Sequence, residues 1–220
     1  MSFSLLGYQI IKDCFSPSEC DEISRNIEDI NLVGTRCLLQ YQWCQNLAKT
    51  LQQKLINSLP NIKTLVPVQC TYFNKSISNN WFVAFHQDRS IPISSNVSHK
   101  LPGWSQKEGM TFIHGPDNIL KTMIAVRVHL DDSTNKNGPL RVIPCSHHHG
   151  SLKPKKINQL KQSTPEQTLL VTKGDIIIMR PLLLHASSKS STLLSRRVLH
   201  FLFGPKILPN GLEWPHHIEF

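Results

Sequence analysis

Between residues 43 and 59 an apolar residue recurs at every fourth position: Trp43, Leu47, Leu51, Leu55 and Leu59. That spacing draws one stripe down a helix, which buries the stripe in a core and stops at Pro60. An earlier helix is marked by its start. In Ser16-Pro17-Ser18-Glu19, Ser16 serves as N-cap, Pro17 takes the first helical position and Glu19 closes a capping box, with the helix running to about Ile30. After Pro67 the texture changes to short β-rich runs. These are 68–73, 81–85, 122–130, 140–144, 168–172, 175–185 and 197–203, with turn chemistry at Asn137-Gly138-Pro139 and Lys173-Gly174-Asp175. Short strands without helices between them predict an antiparallel sandwich or barrel. The chain is expected as one domain: a helical N-terminal layer over 1–65, a β core over 66–205 and a tail over 206–220.

Composition narrows the setting. Hydrophobic residues make up 40% and charged residues 18%, the profile of a globular chain rather than a disordered one. No apolar run approaches the roughly 20 residues that cross a bilayer, and the N-terminus lacks the basic start and cleavage site of a secretory signal. The six cysteines are scattered with no C-x-x-C, which predicts reduced thiols in a cytoplasm. The net charge of +9 favours an anionic small molecule over a nucleic acid. The densest basic cluster, Lys153-Pro154-Lys155-Lys156 with Lys161, carries no interleaved aromatics and reads as a solvated loop.

Candidate chemistry begins at WFVAFHQDRSIPI (81–93). Strand residues i and i+2 share a face, so His86 and Asp88 can converge on one point. A ferrous site for oxygen chemistry needs two imidazoles and one carboxylate on one side of the metal. His185, 97 residues past Asp88, ends the apolar run IIIMRPLLLH and is the natural third ligand. Arg196-Arg197 follows 11 residues later and opens the last strong strand, where a guanidinium suits a carboxylate. Each piece alone is weak; the ordered set is far more specific. Alternation leaves Arg196 and Arg197 open, because Arg196 shares a face with Val198, His200 and Leu202, and Arg197 with Leu199, Phe201 and Phe203.

These segments, together with FNKS (73–76), VRVHLDD (126–132), NGPLRVIPCSH (137–147) and GDIIIMRPLLLHASS (174–188), resemble the phytanoyl-CoA dioxygenase family of Fe(II)- and 2-oxoglutarate-dependent oxygenases. The resemblance covers most of 70–205. It implies a double-stranded β-helix (jelly-roll, cupin-like) core and iron at His86, Asp88 and His185. It selects Arg196 for the distal carboxylate of 2-oxoglutarate, with Ser187 and Lys75 as further cosubstrate contacts. It also implies hydroxylation by dioxygen rather than halogenation, since family members that halogenate carry a small residue where Asp88 stands. Three positions depart from the pattern: Cys145 at a turn where relatives carry Gly, Arg89 after Asp88 where a neutral residue is expected, and Leu202 where an acidic one is common.

The other histidines read more simply. His147-His148-His149 is expected as an exposed turn, His129 and His200 as core or pocket lining, and His216-His217 as solvent-facing. Arg141 suits either a substrate anion or a structural ion pair. The rival functions are a non-catalytic ligand-binding sandwich and a nucleic-acid demethylase of the same chemistry. An intact triad with a cosubstrate arginine argues against the first, and the absence of base-reading aromatics beside the motif argues against the second.

Overall fold

Ser16 starts the first long helix as its sequence requires. Its hydroxyl accepts from the Glu19 N–H at 3.2 Å, and its own N–H donates to the Glu19 carboxylate at 2.6 Å. This box satisfies two donors at the start of α1 (Pro17–Glu28). The computed structural model describes residues 2–28, 34–94 and 101–215; the expected end of this helix at Ile30, and His216-His217, lie outside them. The striped helix is α2 (Gln42–Leu55), with Leu47, Leu51 and Leu55 buried. It ends one turn before Leu59, yet Leu59 stays in the same core because the Ser58 and Leu59 N–H groups both bond the Leu55 carbonyl.

The N-terminal layer is not purely helical. Tyr8–Ile11 (β1) and Gly34–Thr35 (β2) are strands. The remaining strands are β3 (Leu65–Lys75), β4 (Val83–His86), β5 (Ser90–Ile93), β6 (Ser105–Lys107), β7 (Met110–His114), β8 (Ile124–His129), β9 (Leu140–Val142), β10 (Gln167–Leu169), β11 (Ile176–Met179), β12 (His185–Ser187) and β13 (Arg196–Pro205). They form a six-stranded sheet in the order β1-β11-β8-β13-β3-β2, a four-stranded sheet β10-β9-β12-β4 and a three-stranded sheet β5-β7-β6. The first two, antiparallel throughout, make the jelly-roll, or double-stranded β-helix. The N-terminal strands thus occupy both edges of the large sheet.

Alternation explains why β11 is apolar at every position. Ile176 and Ile178 face the helical layer with Leu51, Val126, Val128 and Phe201, whereas Ile177 and Met179 face inward with Ala125, Val142 and Leu202. Both faces are covered, so both must be apolar. The expected long strand 175–185 is broken: the Arg180 carbonyl bonds the Leu183 N–H in a turn around Pro181, which has no N–H to give a ladder. Residues 153–161 are not a loop. Pro154–Ser163 is a helix, α3, entered through Pro154 and anchored by buried Leu160 and half-buried Ile157. Its basic residues occupy the solvent side. Among the described residues no helix is long and apolar enough to cross a membrane.

Candidate active site

His86 and Asp88 share a face, and Gln87 between them shows why. The buried Gln87 amide donates to the carbonyls of Gly150 and Leu182 and accepts from the Leu152 N–H, all at 2.7–2.8 Å. This tether holds the strand end so that its two neighbours point into the cavity. The Asp88 N–H bonds the Pro181 carbonyl, and His185 pairs directly across from His86 in β12. One ligand atom from each of His86, Asp88 and His185 lies within 4.8 Å of the others.

The imidazoles are set for a metal. His86 Nδ1 meets the Ala84 carbonyl at 2.9 Å and His185 Nδ1 meets the Leu183 carbonyl at 2.8 Å. A carbonyl accepts only, so Nδ1 carries the proton and the Nε2 lone pair is left for the site. Those Nε2 atoms lie 3.6 Å from the two Asp88 oxygens. Burial pushes His185 down to about 4, which keeps it a neutral donor at pH 7. Burial opposes ionisation of Asp88, but His185, His200 and His86 hold it well below the usual carboxylate range. Asp88 Oδ2 is buried with no hydrogen-bond partner. Two aligned imidazoles, one ionised carboxylate and an unsatisfied oxygen make a donor set that fits Fe(II).

The large sheet forms the opposite wall of a cavity of about 300 Å³. Residues paired across antiparallel strands share a face, so β3 and β13 present rungs to it: Lys75 with Arg196, Phe73 with Val198, Thr71 with His200, and Gln69 with Leu202. Arg127 of β8 sits beside His200. The triad faces the His200 rung, where His200 Nε2 lies 3.5 Å from Asp88. Arg127 donates to His200 Nδ1 at 3.1 Å. Because arginine only donates, His200 must carry its proton on Nε2, aimed at Asp88.

At one end Lys75 donates to Ser187 Oγ at 2.8 Å and the Ser188 carbonyl at 2.7 Å, while Ser187 donates to the Gly138 carbonyl. Burial first, then Arg196 and Arg127, push Lys75 down to about 7. Arg196 is buried, with Nε on the Asn137 carbonyl at 3.2 Å and Nη1 without a partner. Burial, then Arg127, lowers it to about 9, still charged at neutral pH. The turn keeping these groups together needs its glycine: Gly138 has φ +70°, and a Cβ there would lie 2.2 Å from the Ser188 carbonyl oxygen. Arg197 points outward to Asp131 and Glu28.

Other expectations resolve simply. His147 and His148 bond the Ser4 and Leu5 carbonyls near the N-terminus rather than joining the triad. Arg141 forms an ion pair with Glu166 at 2.9 Å. Cys145 adopts φ 65°, the left-handed conformation that favours glycine. The sequence left His200 as core or pocket lining, with no sign of its contact with Asp88, and gave no role to Arg127. Their signal was that Arg127 and His200 are polar residues inside strands otherwise buried on both faces.

No curated protein sequence matches this chain significantly. Among solved structures it is similar to iron-bound HygX from Streptomyces hygroscopicus (14% identity, TM-score 0.65, 94% of this chain and 85% of that one). HygX has also been solved with nickel, 2-oxoglutarate and hygromycin B bound. AviO1 from Streptomyces viridochromogenes Tue57 is similar at 16% identity and TM-score 0.65, covering 94% and 93%. So is SnoN, a non-haem α-ketoglutarate-dependent epimerase from nogalamycin biosynthesis, at 13% and 0.67, covering 92% and 80%. At these identities the likeness carries the fold. The sequence model described as phytanoyl-CoA dioxygenase matches residues 3–198.

Proposed function

The chain belongs to the phytanoyl-CoA dioxygenase family, non-haem iron enzymes dependent on 2-oxoglutarate, and from that premise we propose that it hydroxylates a C–H bond of a small molecule at His86, Asp88 and His185. The observation that carries this reading is the convergence of those three side chains on one cavity, their Nδ1 protons fixed by backbone carbonyls and the Asp88 oxygen unsatisfied. Bound Fe(II) with 2-oxoglutarate supplies the activated oxygen from dioxygen, and the cosubstrate leaves as succinate and CO2.

The chain's own residues position and exclude. Arg196, with a buried N–H unmatched, and Lys75 receive the distal carboxylate of 2-oxoglutarate. Ser187 holds Lys75 in place, and an arriving carboxylate competes with the Gly138 carbonyl for its proton. His200, fixed by Arg127, aims its Nε2 proton at Asp88 Oδ2 from 3.5 Å, without a hydrogen bond in the free site, and so helps to orient that carboxylate. A substrate beside the cosubstrate is a small molecule, as hygromycin B is in HygX. The six cysteines are all free thiols, which supports a cytoplasmic setting. The shared core of the N-terminal helices and the large sheet supports reading the two as one folding unit.

Metal binding tests the triad directly. The purified protein should take up one Fe(II), Co(II) or Ni(II) per chain, read by calorimetry or by the Co(II) spectrum. His86→Ala and His185→Ala should each abolish tight uptake, because two ligands do not complete the set. Full-affinity metal in both variants would sink the assignment. A mass-spectrometric substrate screen then scores the gain of one oxygen that depends on both iron and 2-oxoglutarate.

A further inference from the structure

Among the described residues, six cationic side chains line the cavity and only one carboxylate, Asp88. In the reading above, Asp88 belongs to the metal, Lys75 and Arg196 belong to the cosubstrate, and Arg127 is engaged with His200 and stacks over Phe73. Arg36 is neutralised by Glu108 at 3.3 Å. Two cations remain without an assignment, Arg89 and Lys107. Neither has a carboxylate within ion-pair distance among the described residues, and Arg89 Nε is a buried donor with no hydrogen-bond partner. A guanidinium N–H desolvated without an acceptor is unfavourable unless a ligand supplies one.

Their place in the fold sets them apart from the cosubstrate end. Lys75, Phe73, Thr71 and Gln69 step along β3 at alternate positions, a span of roughly 20 Å at about 3.3 Å per residue. The triad faces the third rung, so Lys75 and Arg196 lie to one side and Gln69 with Leu202 to the other. The three-stranded sheet packs at that second side: Ile91, Ile93 and Ile113 share a core cluster with Val68, Ala125 and Leu202. It is this sheet that carries the two spare cations. Arg89 leads into β5, Lys107 closes β6, and Lys107 Nζ lies 5.6 Å from the centre of the Phe112 ring, which lines the same cavity. Their backbones lie at opposite ends of β7, since the Gly115 N–H donates to the Arg89 carbonyl and Lys107 pairs with Met110, and both side chains reach the one cavity. Asp117, an acid on which Arg89 acts, is held by Ser151 through both its N–H and its hydroxyl.

We propose that Arg89 and Lys107, against Phe112 and Gln69, form a subsite for an acidic group of the substrate, a carboxylate or a phosphate ester. The subsite lies across the metal from the cosubstrate's own anion-binding end, so the substrate is an anion whose reacting carbon sits inward of its acidic group. The inference rests on the assignment of Lys75 and Arg196 to 2-oxoglutarate. An arginine fork with an ammonium lining the same cavity accommodates either acid, and the Phe112 ring adds contact for an apolar body.

The test uses protein loaded with Ni(II) and 2-oxoglutarate and titrated with three probes: hexanoate, phenyl phosphate and the neutral hexanamide, read by calorimetry. At least one acid should bind ten-fold or more tighter than the amide, and the stronger of the two identifies the acid type. Arg89→Gln and Lys107→Gln should each weaken that acid at least three-fold and together at least ten-fold, with Ni(II) and 2-oxoglutarate affinity within two-fold of the unmodified protein. Equal binding of acid and amide, no binding of either acid, or full acid affinity in the double variant overturns the subsite. A different failure has a different signature: 2-oxoglutarate lost in Arg89→Gln but kept in Arg196→Ala would mean that the cosubstrate end itself is misassigned.

Discussion

Arg197 donates through Nε and Nη2 to both oxygens of Asp131, at 3.0 and 2.9 Å, and reaches Glu28 with Nη1. Arg196, one residue earlier on the same strand, has a single backbone carbonyl for its Nε and nothing for its buried Nη1. The outward guanidinium is completed by its own chain; the inward one is left incomplete. Burial lowers Arg196, and the hydrogen bonds that Arg197 donates to Asp131 raise Arg197. A cation that the fold partners contributes to stability. One that it buries without an acid is unfavourable in the absence of ligand, and its retention points to a ligand anion. The same contrast separates the two faces of β13 generally: Leu199, Phe201 and Phe203 pack on the helical layer, while His200 faces the triad.

The largest expected effect comes from breaking the inward member. Arg196→Ala should leave Ni(II) uptake intact and weaken 2-oxoglutarate by roughly 2–5 kcal/mol, the range for removing one partner of a buried, hydrogen-bonded charge pair. Calorimetric titration of the Ni(II)-loaded variant checks it. Retained affinity there, with a loss in Arg197→Ala instead, would reverse the register of the strand and with it the comparison.

Lys75 extends the inward side and makes it pH-dependent. Its native value of about 7 lies below the ordinary 10.5. Between those limits the unfolded chain holds a proton that the native protein has released, so stability without ligand should rise with pH across that window. Below about 7 the lysine is charged in both states and the burial penalty is fully present; above 10.5 it is neutral in both and the penalty is gone. A rise of roughly 5 kcal/mol is expected, and Lys75→Met should flatten it, measured as the difference between the two denaturation profiles. Affinity for 2-oxoglutarate should run the other way and fall as pH climbs through 7 in the unmodified protein only. A Lys75→Met profile parallel to the original would remove Lys75 from the charged end.

Much of this was readable from the chain, and the misses have physical causes. His86 and Asp88 are two residues apart, so local strand geometry brings them together and their pairing needs no tertiary knowledge. The choice between Arg196 and Arg197 depended on Asp131 and on Glu28, 169 positions away from Arg197, and alternation alone holds no information on either. The three-stranded sheet was missed because its strands carry weak signals. Pro92 is tolerated on β5 only because β5 is an edge, and the two-residue turn of the β6–β7 hairpin is Glu108-Gly109. Both turn residues have positive φ, a geometry that usually announces itself with Asn-Gly. Glu108 takes the unusual conformation while its carboxylate accepts from the Arg36 N–H and the Thr35 hydroxyl, a fixation no local pattern reveals. The helix at Pro154–Ser163 was hidden by its charge: with one buried leucine, its apolar face is too narrow to show a period.

The smallest effects belong to the outward member. Arg197 is about a quarter exposed, as is Asp131, so solvent screens the pair. Arg197→Ala should cost about 1 kcal/mol of unfolding free energy, at the upper end for exposed pairs because the contact is bidentate. Its 2-oxoglutarate affinity should stay within two-fold. Arg197→Lys sharpens this further. An ammonium keeps the charge beside Asp131 but offers a single point of contact where the fork met both oxygens, so the loss should shrink to a few tenths of a kcal/mol. The Arg197 backbone N–H, which also donates to Asp131 at 2.8 Å, is untouched by either change and keeps the acid in place. The equivalent Arg196→Lys change has no such reserve: no side chain on the inward face holds the geometry for it, so its 2-oxoglutarate affinity should fall well beyond two-fold. If lysine proves equally tolerated at both positions, measured by denaturation at 197 and by titration at 196, then charge alone serves at each. The guanidinium geometry that separates the two faces would then carry no weight.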